Sequence, residues 1–146
     1  MEDAERYLAK CAAASERAAA VAVEELVQDL KARQCQLETS ALLTGAGRPL
    51  PALSGILASH ALIHTAEGEF FRNALRIACE RLGIQVASIR ERDLEGRVNL
   101  EIGGAASRVQ QEIASFGRSI GPPWTKDHKT AALAAWALLV HGSTGR

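Results

Sequence analysis

Residues 54–89, "SGILASHALIHTAEGEFFRNALRIACERLGIQVASI", decide the fold class. Ser54 is a residue type that caps helices, and the spacing predicts a helix from there to about Leu82. Gly83 supplies the stop. Residues 84–89, "IQVASI", then read as a compact β-branched strand. Upstream, in residues 34–51, "QCQLETSALLTGAGRPLP", Cys35, Leu37, Thr39, Ala41 and Leu43 alternate with Gln36, Glu38 and Ser40. A period of two predicts a strand, ended by the loop "GAGRPLP". Its GxG lacks the third glycine of a dinucleotide fingerprint. Strand, helix and strand make a βαβ unit with parallel strands. The expected fold class is therefore α/β.

Outward from that unit, residues 3–33 read as one long Ala-rich helix. Tyr7, Leu8, Cys11, Ala18, Ala22, Leu26 and Leu30 recur at helical spacing, and Glu5, Lys10, Glu16, Arg17, Glu24 and Lys31 form the other face. Such a helix is about 45 Å long. That exceeds a small domain, so either the helix kinks or a partner chain covers part of it, and a homodimer through this N-terminal helix is the expected assembly. On the other side, Leu94, Val98 and Ile102 favour a helix over 94–103. "AASRVQQEIASFGRSIG" (105–121) reads as another, ending near Gly117 or Gly121. Pro122 and Pro123 break the chain. Thr125 caps a last helix, with Asp127 in its first turn where a negative charge suits the helix dipole. The organisation expected is a single domain, 1–146, with a helix over 1–33 and an α/β core over 34–146.

Seventeen basic residues balance seventeen acidic ones. No global basic field exists to attract nucleic acid; a local Arg patch leaves such a partner open, but net charge does not support it. Cys11, Cys35 and Cys79 form no CxxC pair. Reduced thiols and the acidic N-terminus "MEDAER" point to a cytoplasmic protein. The run "AALAAWALLV" (131–140) is too short to span a bilayer, so no membrane partner is expected.

The chemistry concentrates in "SHALIHTAEGEF" (59–70). His60 and His64 stand four apart and Glu67 three later. On a helical wheel started at Leu57, they fall on the arc of Leu57, Phe71, Leu75 and Leu82, with Ala78 and Ala74 at its edge. That arc should be buried. Buried polar groups need partners, at a cost of about 1–3 kcal/mol each otherwise. Three solutions stay open. The groups can satisfy one another as a hydrogen-bond network. His60, His64 and Glu67 can hold a divalent metal as a two-His, one-carboxylate set. Glu67 can orient His64 for general acid–base work, which makes Glu67 and His64 the candidate catalytic residues. HxxxHxxE is not HExxH, since Ala61 follows His60. Gly68 flanks the triad and leaves room for a backbone or ligand.

Elsewhere, Glu38 reads as a solvent-facing strand position and Asp127 as a dipole partner. Lys126, His128 and Lys129 belong to the same first turn. Trp124 and Trp136 read as packing anchors. Arg48, Arg90, Arg92 and Arg97 can gather at one edge of the sheet, but Glu91, Asp93 and Glu95 interleave with the last three, which predicts surface ion pairs.

The order of "CQLETSALL", "IQVASIRERDL" and "KDHKTAALAAWALL" resembles the second half of RNase H-like folds, in particular the RuvC/YqgF resolvase branch, over residues 34–141. The resemblance implies a truncated RNase H-like core with Glu38 and Asp127 matching two metal-binding carboxylates. The chain opens with a helix where that family has a strand hairpin. The blocks "LASHALIHTAEGEFFRNAL" and "GPPWTKDHKTAALAAW" also resemble a small bacterial family. The leading expectation is a divalent-metal-dependent hydrolase or nuclease-like protein built on His60, His64 and Glu67. The contrary one is a non-catalytic dimeric or partner-binding module in which the triad is a structural network.

Overall fold

The computed structural model describes residues 2–45, 47 and 49–144, with the side chains of 141–144 excepted. The elements run α1 (Glu2–Ala32), β1 (Thr39–Thr44), α2 (Leu53–Leu57), α3 (His60–Arg81), β2 (Gln85–Arg90), α4 (Leu94–Ile102), α5 (Ala106–Ile120) and α6 (Lys126–Thr144). The chain is mostly helical, with two short parallel strands that pair directly. The βαβ order expected from the sequence is present. It sits in an α-rich chain rather than around an extended sheet. Among the described residues, no helix is long and apolar enough to cross a membrane. The chain divides into two compact units, Met1–Ala87 and Ser88–Arg146.

In the first unit α1 packs on α3. Val23, Ala78, Cys79 and Ile84 form the buried centre, and half-buried Ala19, Ala20, Val27, Leu37 and Val86 pack around it. Small residues on both helices let the backbones approach closely, but each Ala contributes little apolar area. The helix ends are built alike. At the end of α3, Ile84 N–H donates to Cys79 O and Gly83 N–H to Glu80 O, both at 3.0 Å, with Gly83 at φ +73°. This is a Schellman closure, with glycine at the left-handed position. At the end of α1, Cys35 N–H donates to Leu30 O at 2.8 Å and Gln34 N–H to Lys31 O at 3.0 Å. Here the left-handed position, φ 59°, is held by Gln34. A Cβ there costs roughly 1 kcal/mol.

Two local boundaries differ from the sequence reading. The first strand begins at Thr39, because the α1 closure and the loop after it use Cys35 to Glu38. The expected 54–82 helix is interrupted at Ala58 and Ser59. Ser59 is extended, at φ −138°, and its Oγ accepts from Leu62 N–H at 3.4 Å. A serine that caps a new helix in this way competes with continuation of the old one. His60 therefore opens α3 instead of lying inside a longer helix.

The second unit is a helical bundle in which α4 and α5 each pack on α6. Its buried side chains are Ile89, Leu94, Val98, Ala106, Val109, Ile113, Leu133, Ala134 and Ala137. Segment 94–103 is helical as read. At the α5–α6 junction, Trp124 Nε1–H donates to Ile113 O at 2.9 Å. The indole lies so close to Gly117 that a Cβ there would sit 2.8 Å from Trp124 Cδ1. Thr125 caps α6 as read, with an addition: the Thr125 hydroxyl lies 2.7 Å and its N–H 3.3 Å from His128 Nδ1. His128 thus plays the third-position role of a capping box. Asp127 is in the first turn. Arg90 and Arg92 both pair with Asp93, at 2.6 and 3.5 Å, and Lys126 approaches Glu91 at 4.0 Å. Arg48 lies outside the described residues.

Candidate functional site

α3 begins at the Ser59 cap, and its first two turns carry His60, His64 and Glu67 on neighbouring positions of one face. The spacing brings them together. His64 Nδ1 lies 3.0 Å from Glu67 Oε2, and His64 Nε2 lies 3.1 Å from His60 Nε2. The two imidazoles meet edge to face, with centroids 4.4 Å apart and planes at 81°. A carboxylate only accepts, so the proton on His64 Nδ1 is donated to Glu67. When His64 is neutral its Nε2 is bare and accepts from His60 Nε2–H; when it is charged its Nε2–H donates to His60 Nε2. In either case His64 stands between His60 and Glu67.

The chain lies in solvent. The side chain of His64 is 62% exposed and that of Glu67 59%. The expectation of a buried arc is corrected here, and the whole arc moves with it. Leu57 is 58% exposed, Phe71 60%, Leu75 38% and Leu82 40%. The packed face of α3 instead follows Ile63, Ala66, Phe70, Ala74, Ile77 and Ala78, all half-buried or buried. It is turned by about 80° from the arc read on the wheel. Two causes act together. Leu57, the wheel's origin, belongs to α2. The surface that α3 meets on α1 is made of alanine and valine, which small residues of α3 fit better than Phe71 or Leu75.

The triad therefore needs no buried partner, and its mutual bonds are a geometric preference rather than a rescue. It is not a three-ligand cradle either. Glu67 and His60 approach His64 from opposite ring nitrogens, so the three do not converge on one point. Among the described residues, no group of three or more His, Cys, Asp or Glu side chains is placed to hold a metal ion. The space beside Gly68 is filled from within: an added Cβ would meet Arg72 Nη2 at 2.8 Å. That guanidinium is held there by Glu69 at 2.9 Å.

Of the other candidates, Glu38 is exposed just ahead of β1, and its carbonyl accepts from Gln85 N–H at 3.1 Å. Asp127 is exposed on α6. The two belong to different units. Sequence reasoning missed the cluster around Trp124, which stacks on His128 at 5.7 Å and faces Phe116 at 6.2 Å. The Thr-x-x-His spacing after Pro123 was its available signal.

The same exposure dominates α1. All nine residues from Glu2 to Lys10 are exposed. Tyr7, Leu8, Val21 and Leu26 are 67%, 41%, 55% and 50% exposed. Of the inward face read from the sequence, Tyr7, Leu8, Ala18, Ala22 and Leu26 point to solvent, whereas Val23 and Val27 turn inward. The chain was compared with protein-family models, curated proteins and solved structures, and it matches none of them.

Proposed function

We propose that the first unit is a self-association module, in which the exposed stripe of α1 pairs with the same stripe of a second copy of this chain. The observation that carries this is the stripe itself. Leu8, Cys11, Ser15, Ala18, Ala22 and Leu26 recur at spacings of three and four. Leu8, Ala18, Ala22 and Leu26 are exposed, with Cys11 and Ser15 half-buried between them, on the flank of α1 beside Val23 and Val27. An a/d-like repeat of this kind is the pattern by which one helix seats against another. The first third of α1 has no buried residue, and an isolated stretch of that length is marginal as a helix in water. Area supports the reading. The chain exposes 10231 Å². Two separate folded units of these lengths would together expose about 8,700 Å². The chain therefore exposes about 1,500 Å² more than two such units would, an amount of the order that an interface covers. With two copies antiparallel about the centre of α1, Leu8 of one copy meets Leu26 of the other.

The test is sedimentation velocity across a range of concentrations, on the full chain and on Leu8→Glu/Leu26→Glu. Both side chains are exposed, so the variant keeps its fold. The reading expects a dimer that the double variant converts to monomer. A monomer throughout contradicts it, as does a dimer indifferent to the double variant.

A second reading is favoured by one contact, the 3.0 Å hydrogen bond between Glu67 and His64. A carboxylate that fixes the imidazole tautomer leaves Nε2 as a base, the arrangement used to activate water or a hydroxyl. In this reading the chain is a hydrolase, with His64 as base and Glu67 as its positioning residue. The phosphodiester form of this reading follows the RNase H-like resemblance. Turnover of bis(p-nitrophenyl) phosphate or p-nitrophenyl acetate, lost in His64→Ala and reduced in Glu67→Gln, supports it. Equal rates in all three proteins dismiss it. The free thiols of Cys11, Cys35 and Cys79 fit a reducing compartment such as the cytoplasm under either reading.

A further inference from the structure

The geometry points to a two-imidazole transition-metal site at the start of α3, formed by His60 Nε2 and His64 Nε2 and oriented by Glu67 from outside the coordination sphere. The two Nε2 atoms stand 3.1 Å apart. Two nitrogens bound to one zinc ion at their usual length are about 2.9 Å apart at a right angle and about 3.3 Å apart at the tetrahedral angle. The observed separation lies between these values. A metal ion can therefore replace the proton between the two rings once each ring turns so that both Nε2 lone pairs converge on it.

The tautomer is already set for half of the site. Glu67 Oε2 holds the His64 proton on Nδ1, 3.0 Å away. That leaves the Nε2 lone pair available and raises its donor strength, the relation found between carboxylate, histidine and metal in zinc proteins. His60 needs only to carry its own proton on Nδ1, so no net proton is gained or lost by the neutral pair. Spacing matters too: residues four apart on a helix share one face, and His60 to His64 has that spacing. Glu67 supplies a negative charge beside the bound cation, which offsets the unfavourable positive end of the helix dipole at His60.

This arrangement also fixes the class of ion. Two neutral imidazoles suit zinc, nickel or copper(II) and do not suit magnesium or calcium, which need oxygen ligands. The remaining coordination positions face water, because the side chains around them are exposed. The inference rests on these distances and does not depend on dimer formation.

The probe is zinc chloride titrated into the full chain, followed by calorimetry and by the imidazole proton resonances in NMR. One zinc per chain is expected at micromolar affinity, with the His60 and His64 resonances shifting first. His64→Ala and His60→Ala should each weaken it by more than ten-fold, and Glu67→Gln by about ten-fold. Magnesium chloride should produce no shift. The inference fails if no saturation is reached by about 1 mM zinc, a level of binding too weak to count as a site. It also fails if zinc binds unchanged in His60→Ala/His64→Ala, which would place the ion on other side chains. Because the NMR experiment reads the unaltered protein, a variant that misfolds does not remove the test.

Discussion

The two units use similar residues to opposite effect. The second buries Ile89, Leu94, Val98, Val109, Ile113 and Leu133, while its exposed large apolar residues among those described are Leu100, Ile120 and Leu139. The first is the longer unit, yet its buried large side chains are Val23 and Ile84, and it exposes Tyr7, Leu8, Val21, Leu26, Leu57, Phe71, Leu75 and Leu82. The three-helix unit builds a core of large side chains and still exposes Leu100, Ile120 and Leu139. The α1–α3 pair joins through small residues and leaves its large ones outside. Single apolar residues on a surface are ordinary, but several along one helix, as on α1, offer a face to a partner.

Truncation should separate the units most sharply. Ile113 is 2% exposed and Leu26 50%. Ile113→Ala is expected to cost about 2–5 kcal/mol in the second unit. Leu26→Ala is expected to change the stability of the isolated chain by no more than about 0.5 kcal/mol. Urea unfolding read by tryptophan fluorescence measures the first, because both tryptophans, Trp124 and Trp136, belong to the second unit. Circular dichroism in dilute solution measures the second. Equal losses would erase the distinction between a closed core and an open face.

A smaller effect probes how tightly the second unit is fitted. Gly117→Ala must displace an indole that is anchored to the Ile113 carbonyl. A loss of about 1–3 kcal/mol is expected, with a change in Trp124 emission. No loss would mean that the indole shifts freely and that the junction is looser than its geometry indicates.

The smallest effect lies in the first unit and has the opposite sign. Gln34→Gly relieves the left-handed strain at the end of α1 and should raise the thermal midpoint, by roughly 1 kcal/mol in stability or less, since glycine also loosens the unfolded chain. The corresponding change at the end of α3, Gly83→Gln, should lower it. If the two substitutions behaved alike, the closures would not be equivalent.

Much of the chain was legible before its structure. The glycine stop at Gly83, the Thr125 start of α6, the helical reading of 94–103 and the parallel βαβ order rest on local chemistry, and local chemistry survived. What failed was the facing of the helices. In α1, alanines at 12, 13, 14, 18, 19, 20 and 22 lie on every side. A wheel then takes its direction from the few large residues, and in this protein these face outward. In α3 the same habit aimed the arc at Phe71 and Leu75, although Ala74 and Ala78 mark the packed side. The His60, His64 and Glu67 association was legible, because spacing alone brings residues three and four apart together. Its exposure was not, because exposure depends on what the neighbouring helix can accommodate. The Ser59 break was visible only as one more capping residue in a run that already had Ser54.

The central claim, that the exposed stripe of α1 pairs with a second copy, is tested most directly by amide hydrogen exchange over Glu2–Lys10 at increasing protein concentration. All of these residues are exposed in the single chain. The account predicts rapid exchange when dilute and protection that grows with concentration, in step with dimer formation and absent in Leu8→Glu/Leu26→Glu. Exchange that stays rapid at every concentration, or protection that is full and unchanged on dilution into the double variant, would contradict it.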